Sequence, residues 1–205
     1  MLTKKRKGDW MQTATGGQFW PLDPRADEVW IDDVALQLSK ICRFSGAVRK
    51  FYSVAQHSVL VSIEAGRIAT LTMPSRAARC YALAGLLHDA SEAYLNDVIR
   101  PLKRHGQFKT WYCRVERDVA VAVLARLGIT CDGVRVEFEC CESDLVRRAD
   151  DSVCAAEMRD LMAPPPAPWR AFLSKPVARA VEAWSPDLAA YIFRQRYNQL
   201  ATMTP

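Results

Sequence analysis

The sequence predicts an all-α protein that folds as one compact domain. Apolar residues recur at helical spacing along most of the chain; Val54, Val61 and Ile68, for example, lie seven residues apart and form one stripe. Short breaks rich in Gly or Pro separate these segments. Ser185-Pro186-Asp187 is a helix start, because it combines a cap, a proline at the first helical position and an acid in the first turn. A length of 205 residues suits one domain with a sizeable core.

Three helices are predicted in the first half of the chain. They run from the Asp32-Asp33 cap to a stop at Ser45-Gly46, from about Ser53 to Ala69, and from Met73-Pro74-Ser75 to Leu87. The second helix carries His57 on its apolar stripe, three residues after Val54 and four before Val61. The third is so apolar over residues 81–87 that we expect it to be deeply buried.

Three more helices are predicted after a break at Asn96–Pro101. They run from about Gln107 to Leu127, from about Val134 to Met162, and from the Ser185 cap toward the C-terminus. Gly128 and the proline-rich segment Ala163–Pro168 end the first two. Val119–Ala125 taken alone could form a strand, but its length and its setting in a Glu/Arg-rich stretch favour a helix.

Residues 1–12 are predicted to form a flexible basic arm, and residues 13–205 the folded domain. The net charge is +5, of which the first ten residues carry +3, so the remaining chain carries only +2. Nucleic-acid binding needs a dense basic face, which this nearly neutral domain does not offer. We therefore expect no nucleic-acid partner.

The chain is expected to be cytoplasmic and to have no membrane partner. Its longest apolar run, Val119–Ala125, has seven residues, whereas a membrane span needs about 18. No apolar segment of a secretory signal follows the basic N-terminus. The seven cysteines form no C-x-x-C pair, which is typical of reduced, mostly buried thiols.

Two of the three histidines are candidate metal ligands. His57 lies on the apolar stripe, and His88 closes the most apolar helix and is followed at once by Asp89. A single buried histidine is usually a hydrogen-bonded core residue. Burying Asp89 beside a histidine costs desolvation free energy, however, and a bound metal ion offsets that cost. His105 is expected at the surface.

More charged residues follow the His-Asp pair. Glu92 lies on the same helical face as His88, and Asp97 comes five residues later in a turn. The next cations are Arg100, Lys103 and Arg104. Metal ligands, a free carboxylate and cations together are what hydrolysis of a phosphate ester requires. For the cations taken alone, a solvated loop is an equally good explanation.

One further carboxylate ligand is expected from the helix predicted over residues 134–162. The acids available there are Asp150 and Asp151, with Glu142, Asp144 and Glu157 as competitors. A mixture of acids and bases on a helix is most often a solvated face. Helical periodicity does not choose among these residues.

The combined pattern resembles the H…HD…D signature of the HD-domain metal-dependent phosphohydrolases, in which four ligands hold one divalent ion on an all-helical scaffold. The resemblance spans roughly residues 16–162, with its motifs at 43–157, and it selects Asp150 over Asp151. It implies the metal ligands His57, His88, Asp89 and Asp150. The small bacterial 5′-deoxynucleotidases and the phage-type dATP triphosphohydrolases are most similar. Their further motif residues are matched here by Arg43, Glu92, Asp97, Pro101 and Lys103.

The resemblance also implies roles for the other site residues. Glu92 orients or deprotonates the attacking water, and Asp97 acts as a second acid/base group or binds a sugar hydroxyl. The cations Arg43 and Lys103 bind phosphate oxygens, the first as a fork of donors and the second as a point charge. The aromatic rings of Trp20 and Phe44 are candidates to stack on a base, with packing in the core as the alternative for both.

The function expected from this resemblance is hydrolysis of (deoxy)nucleotides. The cations favour a dNTP triphosphohydrolase that releases nucleoside and triphosphate; a 5′-deoxynucleotidase acting on monophosphates is the alternative. A non-catalytic nucleotide-sensing module is the alternative from another class. Two imidazoles with two carboxylates favour one Mn²⁺, Co²⁺, Zn²⁺ or Fe²⁺, with Mg²⁺ able to arrive on the substrate phosphates. These small relatives form oligomers, so a homo-oligomer is expected.

Overall fold

A computed structural model describes residues 5–128, 130–131, 134–136, 138–169 and 175–202. Its helices are α1 Ile31–Leu38, α2 Val54–Thr70, α3 Ser75–Leu87, α4 Glu92–Leu95, α5 Arg100–Lys103, α6 Gly106–Leu127, α7 Phe138–Cys141, α8 Asp144–Leu161 and α9 Pro186–Thr202. Two antiparallel hairpins accompany them, β1 Met11–Gln12 with β2 Gln18–Phe19 and β3 Thr130–Cys131 with β4 Val134–Arg135. The predicted all-α class is confirmed.

The core lies between α2, α3 and the helices packed around them. Ser53 caps α2 by accepting a hydrogen bond from the Gln56 amide, so the helix starts just before His57. The largest fully buried apolar side chains include Leu38 of α1, Val54 of α2, Leu83 and Leu86 of α3, and Phe193 of α9. These side chains hold α1, α3 and α9 around α2. None of the described helices has the length and apolar character needed to cross a membrane.

α2 and α3 approach each other closely at Gly85. A Cβ atom placed on Gly85 would lie 3.0 Å from the Val61 carbonyl oxygen and 3.1 Å from the Ala65 Cβ atom. A side chain at this position would force the two helices apart by a few tenths of an ångström, so glycine permits their close approach. This contact sets the separation of the two helices close to His57 and His88.

We expect Gly85→Ala to lower the free energy of unfolding by about 1–3 kcal/mol, because the added methyl group pushes against the α2 backbone. Gly66→Ala is the matched control. Its Cβ would lie 3.2 Å from the Ala82 methyl group but 3.9 Å from the nearest backbone atom, the Ala78 carbonyl oxygen, and alanine also favours the helix. Urea unfolding followed by circular dichroism measures both variants. Equal midpoints for Gly85→Ala and the unsubstituted protein would contradict the tight contact.

The long helix predicted over residues 134–162 is wrong in its first part. The structure has β4, a short α7 and then α8, which begins only at Asp144. The Ser143 side chain accepts a hydrogen bond from the Val146 amide and caps α8. The apolar residues before this cap therefore belong to other elements.

The first predicted helix is also shorter than expected. α1 ends at Leu38, and residues Arg43–Gly46 form a short 3₁₀ turn instead. Phe44 and Ser45 have φ of +54° and +51°, which a continuing right-handed helix does not allow. The predictions near residues 53–69, 75–87, 107–127 and 186 onward are confirmed by α2, α3, α6 and α9.

The described part of the basic arm is packed against the domain rather than free. Arg6 pairs with Glu28 at 2.7 Å and with Asp23 at 3.1 Å. Its guanidinium carbon lies 4.1 Å from the centre of a Trp20 ring. Arg6 is therefore held against the domain, although residues 1–12 are predicted to form a flexible arm.

The thiols are mostly free, as expected. Free thiols are found at Cys42, Cys113, Cys140, Cys141 and Cys154. Cys80 is an exception because it is disulfide-bonded. The expectation of reduced thiols throughout is therefore wrong for Cys80.

Candidate metal centre

Four predicted ligands from three parts of the fold meet at one point. His57 comes from the first turn of α2, His88 and Asp89 from the turn after α3, and Asp150 from α8. His57 Nε2 lies 3.2 Å from Asp150 Oδ1 and 3.6 Å from Asp89 Oδ2, and His88 Nε2 lies 3.2 Å from Asp89 Oδ2. One ligand atom each from His57, His88 and Asp150 lies within 4.8 Å of the others.

Both imidazole rings are oriented by contacts on their other nitrogen. His57 Nδ1 lies 2.6 Å from Glu157 Oε1, and His88 Nδ1 lies 2.9 Å from the Gly85 carbonyl oxygen. A carboxylate and a carbonyl oxygen accept hydrogen bonds only, so each Nδ1 carries the proton. In the neutral rings, both Nε2 lone pairs therefore point toward carboxylate oxygens.

This arrangement favours a cation between the rings and the carboxylates. Within the described part of the chain, both Nε2 atoms are buried and have no hydrogen-bond partner. Burial lowers the pKa of His88, but Asp89 outweighs it and raises that pKa to about 9. The pKa of Asp89 falls well below its usual range, because the nearby His88, His57 and Arg43 outweigh the opposing effect of burial. A proton or a metal ion satisfies these groups, and this His/His/Asp group could bind a metal ion.

Asp150, rather than Asp151, faces this cluster. Arg100 contacts both carboxylates, at 2.9 Å to Asp150 Oδ2 and 3.4 Å to Asp151 Oδ1. Only Asp150 also reaches the His57 ring. The geometry therefore separates two neighbouring acids that helical periodicity left equivalent.

Arg43 lies behind the cluster and is held by two acids. Its Nε donates to Glu157 Oε2 at 3.2 Å, and its Nη1 lies 3.5 Å from Asp89 Oδ2. The residue is only 8% exposed. It still lines a cavity at the site, next to Phe44, whose left-handed backbone costs roughly 1–2 kcal/mol. Arg43 and Phe44 therefore both line this cavity, in keeping with the substrate contacts that the resemblance implies for them.

Glu157 was predicted only as a competing metal ligand, and the structure places it on the far side of His57. It is fully buried and accepts hydrogen bonds from His57, Arg43 and Tyr52. Its spacing of seven residues from Asp150 put it on the same face of α8. That spacing could have indicated its place at the site.

Glu92 and Lys103 form a buried ion pair, and a second acid also contacts Lys103. Lys103 Nζ lies 3.0 Å from Glu92 Oε1 and 2.8 Å from Glu116 Oε1. Burial and the nearby Asp89 raise the pKa of Glu92 well above its usual range, although Lys103 opposes them. Lys103 thus lies between two carboxylates that balance its charge. Glu116, on α6, carried no signal in the sequence.

A cavity of about 390 Å³ opens at the cluster, and we name it the apolar-walled cavity. One wall is apolar and includes Phe44, Ile99, Met162 and Trp169. The polar side includes Arg43, Asp89, Glu92, Asp97, Arg100, Lys103 and Asp150. Trp20 does not line it; its ring packs against Trp10 at 6.5 Å and against Arg6. The prediction that Trp20 contacts substrate is therefore wrong, because the β1–β2 hairpin holds it elsewhere.

A second cavity, of about 430 Å³, borders the same cluster on another side, and we name it the cation-lined cavity. It shares Asp89, Asp150, Arg100 and Lys103 with the apolar-walled cavity. Its cations are Arg100, Lys103, Arg104, Arg117 and Arg147. The candidate metal centre is therefore accessible from two cavities of different chemistry.

Comparison with known proteins identifies relatives along the whole chain. No protein-family model matches. The chain is 31% identical to the uncharacterized protein YfdR of Escherichia coli strain K12 over 195 residues, which cover 94% of this chain and 96% of YfdR. The chain belongs to the YfdR family. The uncharacterized protein RCAP_rcc00048 of Rhodobacter capsulatus is 32% identical over 125 residues, 60% of each chain. Membership of the YfdR family assigns no activity to this chain.

Proposed function

We propose that the protein is a metal-dependent phosphohydrolase that acts on nucleotides, as its similarity to the HD-domain enzymes implies. One observation carries the proposal: two buried imidazoles, both with Nε2 turned toward carboxylates, converge from separate helices. A catalytic carboxylate and two cavities adjoin this point. A non-catalytic sensing module is disfavoured because no ligand or acid of the signature is missing.

His57, His88, Asp89 and Asp150 would hold one divalent ion. Two nitrogen and two carboxylate donors suit Mn²⁺, Co²⁺, Zn²⁺ or Fe²⁺ better than Mg²⁺, which binds more readily with substrate phosphates. When bound, such an ion supplies a polarised water and neutralises charge on the phosphoryl group. The protein supplies the remaining functions through its own side chains.

Glu92 is the group placed to accept a proton. Its Oε2 atom is buried and has no hydrogen-bond partner in the described part of the chain, whereas Oε1 is held by Lys103. In the proposed reaction, a water oxygen bonds to the α-phosphorus, the bond from that phosphorus to the sugar O5′ breaks, and Glu92 takes a proton from the water. The departing O5′ receives a proton from Asp97, the second acid/base group of the cavity, so nucleoside and triphosphate leave. Lys103 holds the carboxylate in place and adds positive charge beside the phosphate.

The pair of cavities supports a triphosphate substrate over a monophosphate. Phe44 and Trp169 in the apolar-walled cavity suit a nucleoside, and Asp97 lies there for a sugar hydroxyl. The five basic side chains of the cation-lined cavity suit a phosphate chain. The pairs Arg117–Glu139 and Arg147–Glu142 are largely exposed, so they cost little to exchange for phosphate. A 5′-deoxynucleotidase is the alternative.

The test is hydrolysis of nucleoside mono- and triphosphates by metal-stripped protein, with Mn²⁺, Co²⁺, Zn²⁺ or Mg²⁺ added back singly. We expect nucleoside and inorganic triphosphate, separated by chromatography, with a transition metal and none without. Asp89→Ala prepared in parallel controls for contaminating phosphatases. Activity on monophosphates alone would establish the 5′-deoxynucleotidase instead. No activity with any metal would overturn the proposed function.

A further inference from the structure

We infer that Glu157 is a positioning residue, which fixes the ring of His57 so that Nε2 faces Asp89 and Asp150. The inference rests on the metal centre of the proposed function and assigns a part to a residue outside the ligand set. Glu157 lies on α8, two turns after Asp150, and its side chain is fully enclosed. A buried acid at this place needs an explanation, because burying a carboxylate without partners is costly.

Both carboxylate oxygens of Glu157 are used by donors. Oε1 accepts from His57 Nδ1 at 2.6 Å and from the Tyr52 hydroxyl at 2.7 Å. Oε2 accepts from Arg43 Nε at 3.2 Å. Three donors from three separate segments therefore fix the carboxylate in one orientation, and the carboxylate fixes the His57 ring.

The same contacts exclude Glu157 as a direct metal ligand. It touches Nδ1, on the side of the ring opposite the Nε2 atom that faces Asp150. An ion held by Nε2 would lie across the imidazole from Glu157. The acid therefore acts on the metal centre only through His57.

The charge of Glu157 matters as well as its position. The Arg43 guanidinium lies 3.2 Å from Glu157 Oε2, so the buried carboxylate faces a permanently positive group. An ionised carboxylate that accepts the Nδ1 proton increases the electron density at Nε2, and such acids commonly change metal affinity about 10–100-fold. Arg43 also contacts Asp89, so it links the positioning residue to a proposed ligand.

The test compares Glu157→Gln with Tyr52→Phe, which removes another hydrogen bond to the same carboxylate and leaves His57 untouched. Calorimetric titration of metal-stripped protein with Zn²⁺ measures affinity. We expect Glu157→Gln to weaken Zn²⁺ binding about 10–100-fold and Tyr52→Phe to weaken it less than about threefold. Equal affinity of Glu157→Gln and the unsubstituted protein would overturn the inference.

A spectroscopic measurement keeps the test valid even if Glu157→Gln fails to fold. The chain has three histidines, so ¹⁵N spectra of zinc-loaded protein labelled at histidine are simple to assign. We expect His57 to bind Zn²⁺ through Nε2 and to keep its proton on Nδ1. Coordination through Nδ1, or no contact between His57 and zinc, would overturn the inference.

These measurements involve no nucleotide, so they separate the inference from the proposed function. Zinc bound through His57 with a 10–100-fold loss in Glu157→Gln, but no nucleotide hydrolysis, keeps the inference and overturns the function. Nucleotide hydrolysis by the unsubstituted protein, with unchanged zinc affinity in Glu157→Gln, overturns the inference and keeps the proposed function.

Discussion

Asp150→Asn is expected to lower kcat/KM for nucleotide hydrolysis at least about 1000-fold, equivalent to roughly 4 kcal/mol of transition-state stabilisation. The asparagine removes a negative charge that faces His57 at 3.2 Å and leaves the imidazoles without one of their two carboxylates. Metal affinity is expected to fall in parallel. Steady-state kinetics with added metal and calorimetric titration of stripped protein measure the two losses.

Asp151→Asn is the matched control for this prediction. Asp151 is the next residue on α8, and it makes a partly exposed contact with Arg100 at 3.4 Å. Its removal is expected to change kcat/KM and metal affinity less than about threefold, because a partly exposed ion pair contributes little. A greater loss in Asp151→Asn than in Asp150→Asn would show that the fourth ligand is assigned to the wrong acid.

Glu92→Gln is expected to lower kcat about 100–10,000-fold while metal affinity stays within about threefold, because a general base is lost but no ligand is. The pH profile carries a second signature. The pKa of Glu92 lies well above the usual range of a carboxyl, so its proton blocks catalysis at acidic pH and activity rises as that proton is lost. In metal-saturated Glu92→Gln, the contribution of this proton to the acidic limb is expected to disappear from the pH dependence of kcat/KM.

Glu116→Gln is the control here, because it removes the other carboxylate from Lys103 and keeps the base. We expect less than a tenfold loss of kcat and an acidic limb that persists. A Glu92→Gln protein that keeps full activity would remove Glu92 from the mechanism. A Glu92→Gln protein that no longer binds the metal ion would show that Glu92 is a metal ligand.

The helices could be predicted because their signals are local. Helical periodicity, caps and Gly or Pro stops predict α2, α3, α6 and α9 with bounds close to those in the structure. Residues 134–143 contain no Gly or Pro stop, so the predicted helix runs through them into the segment of α8. The actual hairpin and α7 depend on packing against α3 and α6, which sequence spacing does not contain.

The site was predictable where a motif fixes the spacing and not elsewhere. The resemblance placed His57, His88, Asp89 and Asp150 in one centre, and the structure brings them together. Trp20 was assigned from residue type alone, and tertiary packing put it elsewhere. Glu116 meets Lys103 only because α6 crosses α5 in the fold, so no local pattern could have indicated it.

The glycine contact between α2 and α3 offers a criterion for sorting distant relatives. The rings of His57 and His88 have centroids 5.3 Å apart because their helices touch at Gly85. A homologue that keeps every motif residue but carries a bulky side chain at this position would hold its histidines too far apart to share one ion. The residue at this one position, which takes no part in the chemistry, therefore separates two kinds of relatives. Some retain the metal centre, and others retain only its sequence motif.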